Sequence, residues 1–504
     1  MRYLDERGEG RCGGAVRFLL GFAVVAAVSV AAIGPGLAQS TGPSNSGGGH
    51  RSGGQNSPSG ALVREDLGPG VFGTSERTDY WEDEPIVRRR PARRVIEVYE
   101  EDFVDDPVSR PPKVRVVKPT VPPPVIQMPS PAETRFVPGE VLVEMRGGGP
   151  IAPIARRLGL DVLTSLPVRL TGTTLHRVRS TDGRSTRDVL ERLKKEGAVA
   201  FAQPNWLYTL QQAGASAPTT AARPETRALP GQYAADKLRL AGAHDRVRGR
   251  DVLVAVIDTA ADATHPELVG AIEASFDGLE GVDPAPGLHG TAMAGAIASR
   301  LRLSGVAPGA RLLVARAFGP PGASGVAQGS TMAVVKGLDW SVERGARVVS
   351  MSFAGPANPF IGRMIASARV KGVIAVAAAG NAGPQSPPLH PAAEPGVIAV
   401  TASDADDRVL SVANRGDHVT VTAPGVDILV PAPNGGYDVT TGTSVAAAEV
   451  SGVVALMLER RADLKPEDVR RILADTAHDL GAPGRDPIYG AGLVDATAAV
   501  ARVR

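Results

Sequence analysis

Val252-Leu-Val-Ala-Val-Ile257, followed at once by Asp258, decides the architecture. The run is continuously apolar and rich in β-branched side chains. It is too short for a globular helix and lacks the alternation of a strand with one wet face, so it reads as a strand buried on both sides. Related runs recur at Arg311-Leu-Leu-Val-Ala315, Ala346-Arg-Val-Val-Ser350, Val373-Ile-Ala-Val-Ala377 and Val397-Ile-Ala-Val-Thr401. Helical segments separate them. That alternation predicts an α/β fold, three layers α/β/α around a mainly parallel sheet, over residues 232–504. Sites in such sheets form beyond the carboxyl ends of the strands. Asp258 ends one strand, Ser352 follows the strand through Val349, and Asn381 lies just past the strand ending at Ala377. Three polar groups are therefore expected on one edge.

Upstream, the patterning changes three times. Phe136-Val-Pro-Gly-Glu-Val-Leu-Val-Glu144 alternates like a strand, Ile151 to Leu158 suits a helix, and Leu175-His-Arg-Val178 suits a strand. Ser185 to Glu196 has helical spacing behind a Ser-Thr-Arg-Asp start, and Val199 to Tyr208 closes the unit as a strand. The order β-α-β-β-α-β over 135–210 predicts a small α+β, ferredoxin-like domain. Residues 211–231 read as an Ala/Thr/Pro-rich linker, the natural place for proteolytic nicking. Residues 39–134, rich in Gly and Ser and then in Pro, cannot bury enough apolar surface to order themselves and are expected to be a disordered spacer. Within 1–38, the apolar run 18–33 follows Arg11 and Arg17 and precedes Gly36-Leu-Ala-Gln39. It reads as an export signal, with a retained membrane anchor as the alternative. The chain is then expected to be exported: periplasmic, secreted or tethered to the envelope through residues 18–33.

Composition narrows the chemistry. The chain has 504 residues, enough for more than one folded unit. Its 55 Lys and Arg nearly balance 53 Asp and Glu, which gives no reason to expect nucleic acid as a partner. The single cysteine, Cys12, precedes the apolar run. Removal of a signal would leave no thiol for disulfides, nucleophilic catalysis or cysteine-ligated zinc.

Three short stretches carry reactive side chains: Ala255-Val-Ile-Asp-Thr-Ala-Ala-Asp262, His289-Gly-Thr-Ala-Met-Ala-Gly295 and Gly442-Thr-Ser-Val-Ala-Ala-Ala-Glu-Val-Ser-Gly452. Singly, each has a plain structural explanation: a capping Asp, a satisfied His, a close-packed helix start. Together they supply what an unreactive serine needs, namely a base within reach and a carboxylate that fixes that base's tautomer. The chain order is Asp258, His289, Ser444, which is the order found in subtilisin.

On these stretches the region from about Gln232 to the C terminus resembles the subtilase family of serine peptidases. Gly305-Val-Ala-Pro-Gly-Ala310, Ser350-Met-Ser-Phe-Ala-Gly355, Ala378-Ala-Gly-Asn-Ala-Gly383 and Tyr489-Gly-Ala-Gly-Leu-Val-Asp-Ala496 add to the resemblance. The small domain resembles the family's inhibitory propeptide, with Gln203-Pro-Asn-Trp-Leu-Tyr208 like its closing strand. The resemblance implies a subtilisin-like fold and a serine endopeptidase made as an autoprocessed zymogen. Ser444 would be the nucleophile, His289 the base and then acid, and Asp258 the orienting carboxylate. The Asn381 amide would complete an oxyanion hole with the Ser444 backbone N–H. Ser352, Phe353, Ala354 and Gly355 would bind the substrate backbone as an added strand. Peptides and proteins would be the substrates, and the chain's own propeptide an intramolecular inhibitor. No metal or other cofactor is required for that chemistry. Structural calcium is common in the family, but no ligand set for it is identifiable. Two departures stand out: Ala260 where the family usually has Gly, and Ala446-Ala-Ala-Glu449 where it commonly has Ala-x-Pro-His. The competing expectation is a catalytically weak or silent binding or scaffold protein of the cell envelope on the same fold.

Overall fold

A computed structural model describes residues 122–211, 232–281, 284–321 and 326–504. All of them belong to one compact unit spanning Pro112–Arg504. The apolar run at 18–33, the spacer up to residue 121 and residues 212–231 of the linker lie outside the described residues. Among the described residues, no helix is long and apolar enough to cross a membrane.

Order begins earlier than the sequence suggested. The first strand, β1 (Val125–Ile126), falls in the stretch read as spacer and pairs in parallel with Phe201–Ala202. Prolines around it do no harm because an edge strand needs few donors. Gln127 fastens it, accepting from Trp206 Nε1 at 3.0 Å and donating to the Ala357 carbonyl at 2.6 Å. The propeptide-like region therefore starts near residue 122, not 135. Then follow β2 (Phe136–Met145), α1 (Ala152–Leu158), β3 (Leu160–Val168), β4 (Thr173–Ser180), α2 (Thr186–Leu193) and β5 (Val199–Leu210). Sheet order is β1-β5-β2-β4-β3, antiparallel apart from the β1 edge, which is the ferredoxin-like arrangement. Ser185 caps α2 by accepting from the Asp188 N–H at 3.1 Å.

The period of two along β2 gives this sheet two different faces. Val141 and Val143 pack with Val178, Leu190 and Leu193 under the two helices. Leu142, with Leu175 and Phe201, faces the other way and joins the core of the larger unit.

That unit opens with α3 (Tyr233–Lys237) and α4 (Leu240–His244), then β6 (Leu253–Asp258), β7 (Ile272–Asp277), α5 (Leu288–Ala298), β8 (Arg311–Arg316), β9 (Gln328–Ser330), α6 (Thr331–Glu343), β10 (Val348–Met351), β11 (Phe353–Ala354), α7 (Pro359–Val370), β12 (Ile374–Ala378), β13 (Ile398–Ser403), β14 (Val419–Pro424), β15 (Ile428–Ala432), β16 (Gly436–Thr440), α8 (Thr443–Arg460), α9 (Pro466–Thr476) and α10 (Ala496–Arg502). Seven strands form a wholly parallel sheet in the order β14-β13-β12-β10-β6-β8-β7. Successive residues of β6 serve opposite cores. Val254 and Val256 pack with α5 and α8, whereas Ala255 and Ile257 pack with α6 and α7. Each strand of this kind must be apolar throughout, which is why the opening run has no polar alternation.

The sheet of the small domain covers α6 and α7. Phe201 meets Phe360 at 6.3 Å, and the Arg363 guanidinium lies over both rings at 4.8 and 5.0 Å while pairing with Glu144. Asn205 accepts from the Met332 N–H at 3.2 Å, satisfying one of the amides that a helix start leaves open. Asp339 in α6 accepts from the Leu170 N–H at 2.8 Å.

Candidate active site

One strand end and two helix starts supply three side chains at the carboxyl edge of the parallel sheet. Asp258 is the last residue of β6 and is completely buried. His289 is the second residue of α5, and its Nδ1 lies 2.8 Å from both Asp258 oxygens. Asp258 also accepts from the Thr259 N–H at 2.7 Å. With Nδ1 engaged by a carboxylate, that nitrogen carries the proton and Nε2 is left as the basic lone pair. His289 Nε2 is buried and has no partner. Ser444 is the second residue of α8 and is buried as well.

Asn381 sits past β12, and its orientation is fixed by the bonds on its other end. Its Oδ1 accepts from Thr443 Oγ1 at 2.9 Å and from the Thr443 N–H at 3.2 Å, so the Nδ2 donors point the opposite way. Nδ2 donates to the Gln211 carbonyl at 2.7 Å. Ser444 Oγ donates to the same carbonyl. Gln211 closes the contact, its N–H donating to the Ser352 carbonyl at 3.1 Å and its Oε1 accepting from the Asn381 N–H at 2.8 Å. The residue read as the first of a linker thus lies between the serine and the asparagine.

β5 runs beyond its own domain to reach this point. Leu207, Tyr208 and Thr209 pair with Ser330, Gly329 and Gln328 on one side, while Thr209 and Leu210 pair with Ala354 and Phe353 on the other. Both pairings are antiparallel. Ser352, Phe353 and Ala354 therefore lie along the incoming end of β5. Gly355 does something else: its backbone bridges His390, with Gly355 N–H to His390 O at 2.9 Å. Its contribution is the missing side chain, since a Cβ there would sit 2.6 Å from the Tyr208 ring. Tyr208 is buried edge-on against Phe353, centroids 5.5 Å apart, and Phe353 in turn meets Phe318 at 5.1 Å. Burial pushes the Tyr208 phenol well above its ordinary range.

Sequence reasoning missed Gln211, Thr443 and the Gln328–Ser330 strand. Thr443 was within the quoted motif, but its role depends on Asn381, far away in the chain. No local pattern marks the other two. The departures are accommodated. Ala260 is not among the residues with positive φ, so its methyl meets no backbone constraint. Glu449 lines a small, partly open pocket of about 30 Å³ behind α8 that includes none of Asp258, His289, Ser444 or Asn381. Among the described residues, no group of three or more His, Cys, Asp or Glu is placed to hold a metal ion.

A wholly parallel sheet whose strand β6 ends at an Asp bonded to a helix His, with a serine hydroxyl and an asparagine amide on one carbonyl, matches the subtilisin class of serine peptidases, and the chain belongs to the subtilase family. Residues 249–492 match the Subtilase family and 122–205 the Fervidolysin N-terminal prodomain. Fervidolysin from Fervidobacterium pennivorans is 36% identical over 291 residues, covering 51% of this chain and 41% of that relative. The aligned sequence thus spans less than half the length of fervidolysin. Subtilisin DY from Bacillus licheniformis is 33% identical over 272 residues, 53% of this chain and 95% of the relative. The crystal structure of fervidolysin, described as a keratinolytic enzyme related to subtilisin, superposes with a TM-score of 0.63 at 27% identity, covering 75% of this chain and 63% of that one.

Proposed function

We propose that the chain is an exported serine endopeptidase made as a zymogen, and that its first substrate is its own Gln211–Gln212 bond. The observation that carries this is the Gln211 carbonyl, held by Asn381 Nδ2 and Ser444 Oγ at the end of a strand paired on both edges. Ser444 Oγ attacks the Gln211 carbonyl carbon while His289 Nε2 takes the hydroxyl proton, and Asp258 stabilises the resulting imidazolium. The oxyanion gains the Asn381 amide and the Ser444 N–H, which lies in the first turn of α8 and has no intrahelical acceptor. His289 then returns the proton to the Gln212 nitrogen, the C–N bond breaks, and water clears the acyl group from Ser444. The propeptide region that ends at Gln211 would stay in the cleft as product and inhibitor.

Substrates in trans would be extended peptides paired to Gln328–Ser330 and Ser352–Ala354. Main-chain bonds discriminate little between sequences. The pocket of Phe353, Phe318 and Gly355 adds a preference for an aromatic or large apolar side chain where Tyr208 sits, upstream of the cleaved bond. The apolar run at 18–33 and a lone cysteine ahead of it support export.

Full-length protein and its Ser444→Ala variant, compared by intact mass, test the reading. Wild type should give a fragment ending at Gln211 and a second beginning at Gln212, while the variant remains one chain. Unsplit wild type that is also not acylated by an organophosphonate overturns the proposal.

A further inference from the structure

Three features outside the cleft invite a function: the Glu449 cavity, a groove beside α2, and a pocket of about 460 Å³ between α7 and α9. The last carries an argument. It lies at the amino ends of β13 and β14, the sheet edge opposite the one that bears Ser444, and Arg369, Arg470 and Arg485 converge on it.

We propose that this pocket binds a phosphate group. Arg369 is anchored. Its guanidinium lies against Gly396, where a Cβ would come within 2.2 Å of Cζ, and it donates to the Pro395 carbonyl at 3.2 Å and to Glu467 at 2.5 Å. Arg485 is anchored too, one Nη donating to the carbonyls of Asp417 at 2.5 Å and Val419 at 2.7 Å. Arg471, at the rim, is neutralised by Asp468 and Asp475 at 3.1 and 3.7 Å. Arg470 has no such partner. Its Nε is shut off from water without an acceptor, and burial together with the neighbouring Arg485 and Arg369 lowers its pKa.

Three guanidinium groups thus face a single carboxylate, Glu467, which Arg369 already holds. A half-buried cation with a buried N–H and like charges beside it is unfavourable unless an anion arrives. Rigid forks from three directions exceed what the two oxygens of a carboxylate can accept, and suit a tetrahedral oxyanion. The volume leaves space for whatever carries the phosphate, either a small molecule or a lipid headgroup.

The test uses the full chain with Ser444→Ala, so that it stays intact. Its unfolding temperature is followed as inorganic phosphate replaces sodium chloride at constant ionic strength. A saturable rise is expected, and Arg470→Gln in the same background should weaken the apparent phosphate affinity about tenfold, the worth of one hydrogen bond to a charged group. Without phosphate, Arg470→Gln should unfold no earlier than its parent, since it removes repulsion; Arg485→Gln provides a second, independent loss. Co-sedimentation with phosphatidylglycerol vesicles, compared with phosphatidylcholine, separates the sources. Sedimentation reversed by inorganic phosphate identifies a lipid headgroup; a thermal response without sedimentation identifies a soluble phosphate. An equal phosphate response in parent and Arg470→Gln, or no response to phosphate or vesicles, overturns the proposal.

Discussion

β5 is one strand held by two different frameworks. From Val199 to Trp206 its neighbours are β1 and β2 of the same small sheet. From Leu207 onward they are β9 and β11 of the catalytic unit. The upstream half docks through side chains, with Phe201 under Arg363 and against Phe360. The downstream half docks mainly through its backbone and delivers a carbonyl to Asn381. The two halves separate recognition from reaction: one holds the propeptide in place through burial specific to this sequence, and the other presents a peptide as any extended substrate could be presented.

The largest expected effect tests the downstream half alone. Asn381→Ala removes the side-chain donor to the Gln211 carbonyl and nothing that Phe201 touches. Appearance of the fragment ending at Gln211 should slow by roughly 10²–10³-fold, the worth of the corresponding amide in a subtilisin, taken over as it stands. The unfolding temperature of the uncut chain should fall modestly, since the change also removes the acceptor for the Thr443 N–H and Oγ1, a loss of about 1 kcal/mol. A cleavage rate within a few-fold of wild type would remove Asn381 from the oxyanion site.

A paired substitution sharpens the distinction between the halves. Phe201→Ala and Tyr208→Ala each delete a fully enclosed ring, a loss of about 3–5 kcal/mol of packing in a rigid site. Their consequences should differ. Tyr208→Ala empties the pocket of Phe353 and Gly355, so self-cleavage slows while the propeptide sheet keeps its seat on α6 and α7. Phe201→Ala loosens that seat, so the propeptide region should leave sooner after cleavage and peptide hydrolysis in trans should appear earlier. A time course of both fragments, with a peptide substrate present, measures the two. Indistinguishable time courses for the two variants would mean that β5 acts as one element after all.

The division between the halves also marks what the sequence disclosed. The parallel strands were legible because a strand covered on both faces has no polar alternation, and Val252 to Ile257 has none. Asp258, Asn381 and Ser352 followed from their places after such strands. The α and β order of the small domain was legible from periodicity, down to the Ser185 cap. β1 was not, because an edge strand of two residues among prolines has no period to read. Nor was Gln211, whose position is set by the edges of β9 and β11 and not by its neighbours in the chain. Residues whose role is local announce themselves in sequence, and residues placed by a distant backbone do not.

The smallest expected effect is a control that should leave both halves of β5 alone. Glu449, on α8 a turn beyond Ser444, is 3% exposed and one of its carboxylate oxygens has no partner. Burial raises its pKa well above the ordinary value, and its proximity contributes, after burial, to the raised pKa of Tyr233. The folded chain therefore keeps the Glu449 proton over a pH range in which the unfolded chain has released it. Stability from this group is fully present below the unfolded value, about 4.3, and declines as pH rises from there towards the raised folded value. Glutamine has no proton to lose and nearly the same volume. In a Ser444→Ala background, Glu449→Gln should melt close to its parent near pH 4 and progressively above it as pH rises, a gap that widens until the folded carboxyl itself titrates. In the otherwise wild-type chain the fragment boundary should remain at Gln211 and the cleavage rate should be unchanged, because the pocket beside Glu449 is lined by none of the cleft residues. Parallel melting curves across the pH range would show that Glu449 is ionised in the fold. A shifted cleavage rate would show that α8 transmits its state to Ser444 and that the two ends of this helix are not independent.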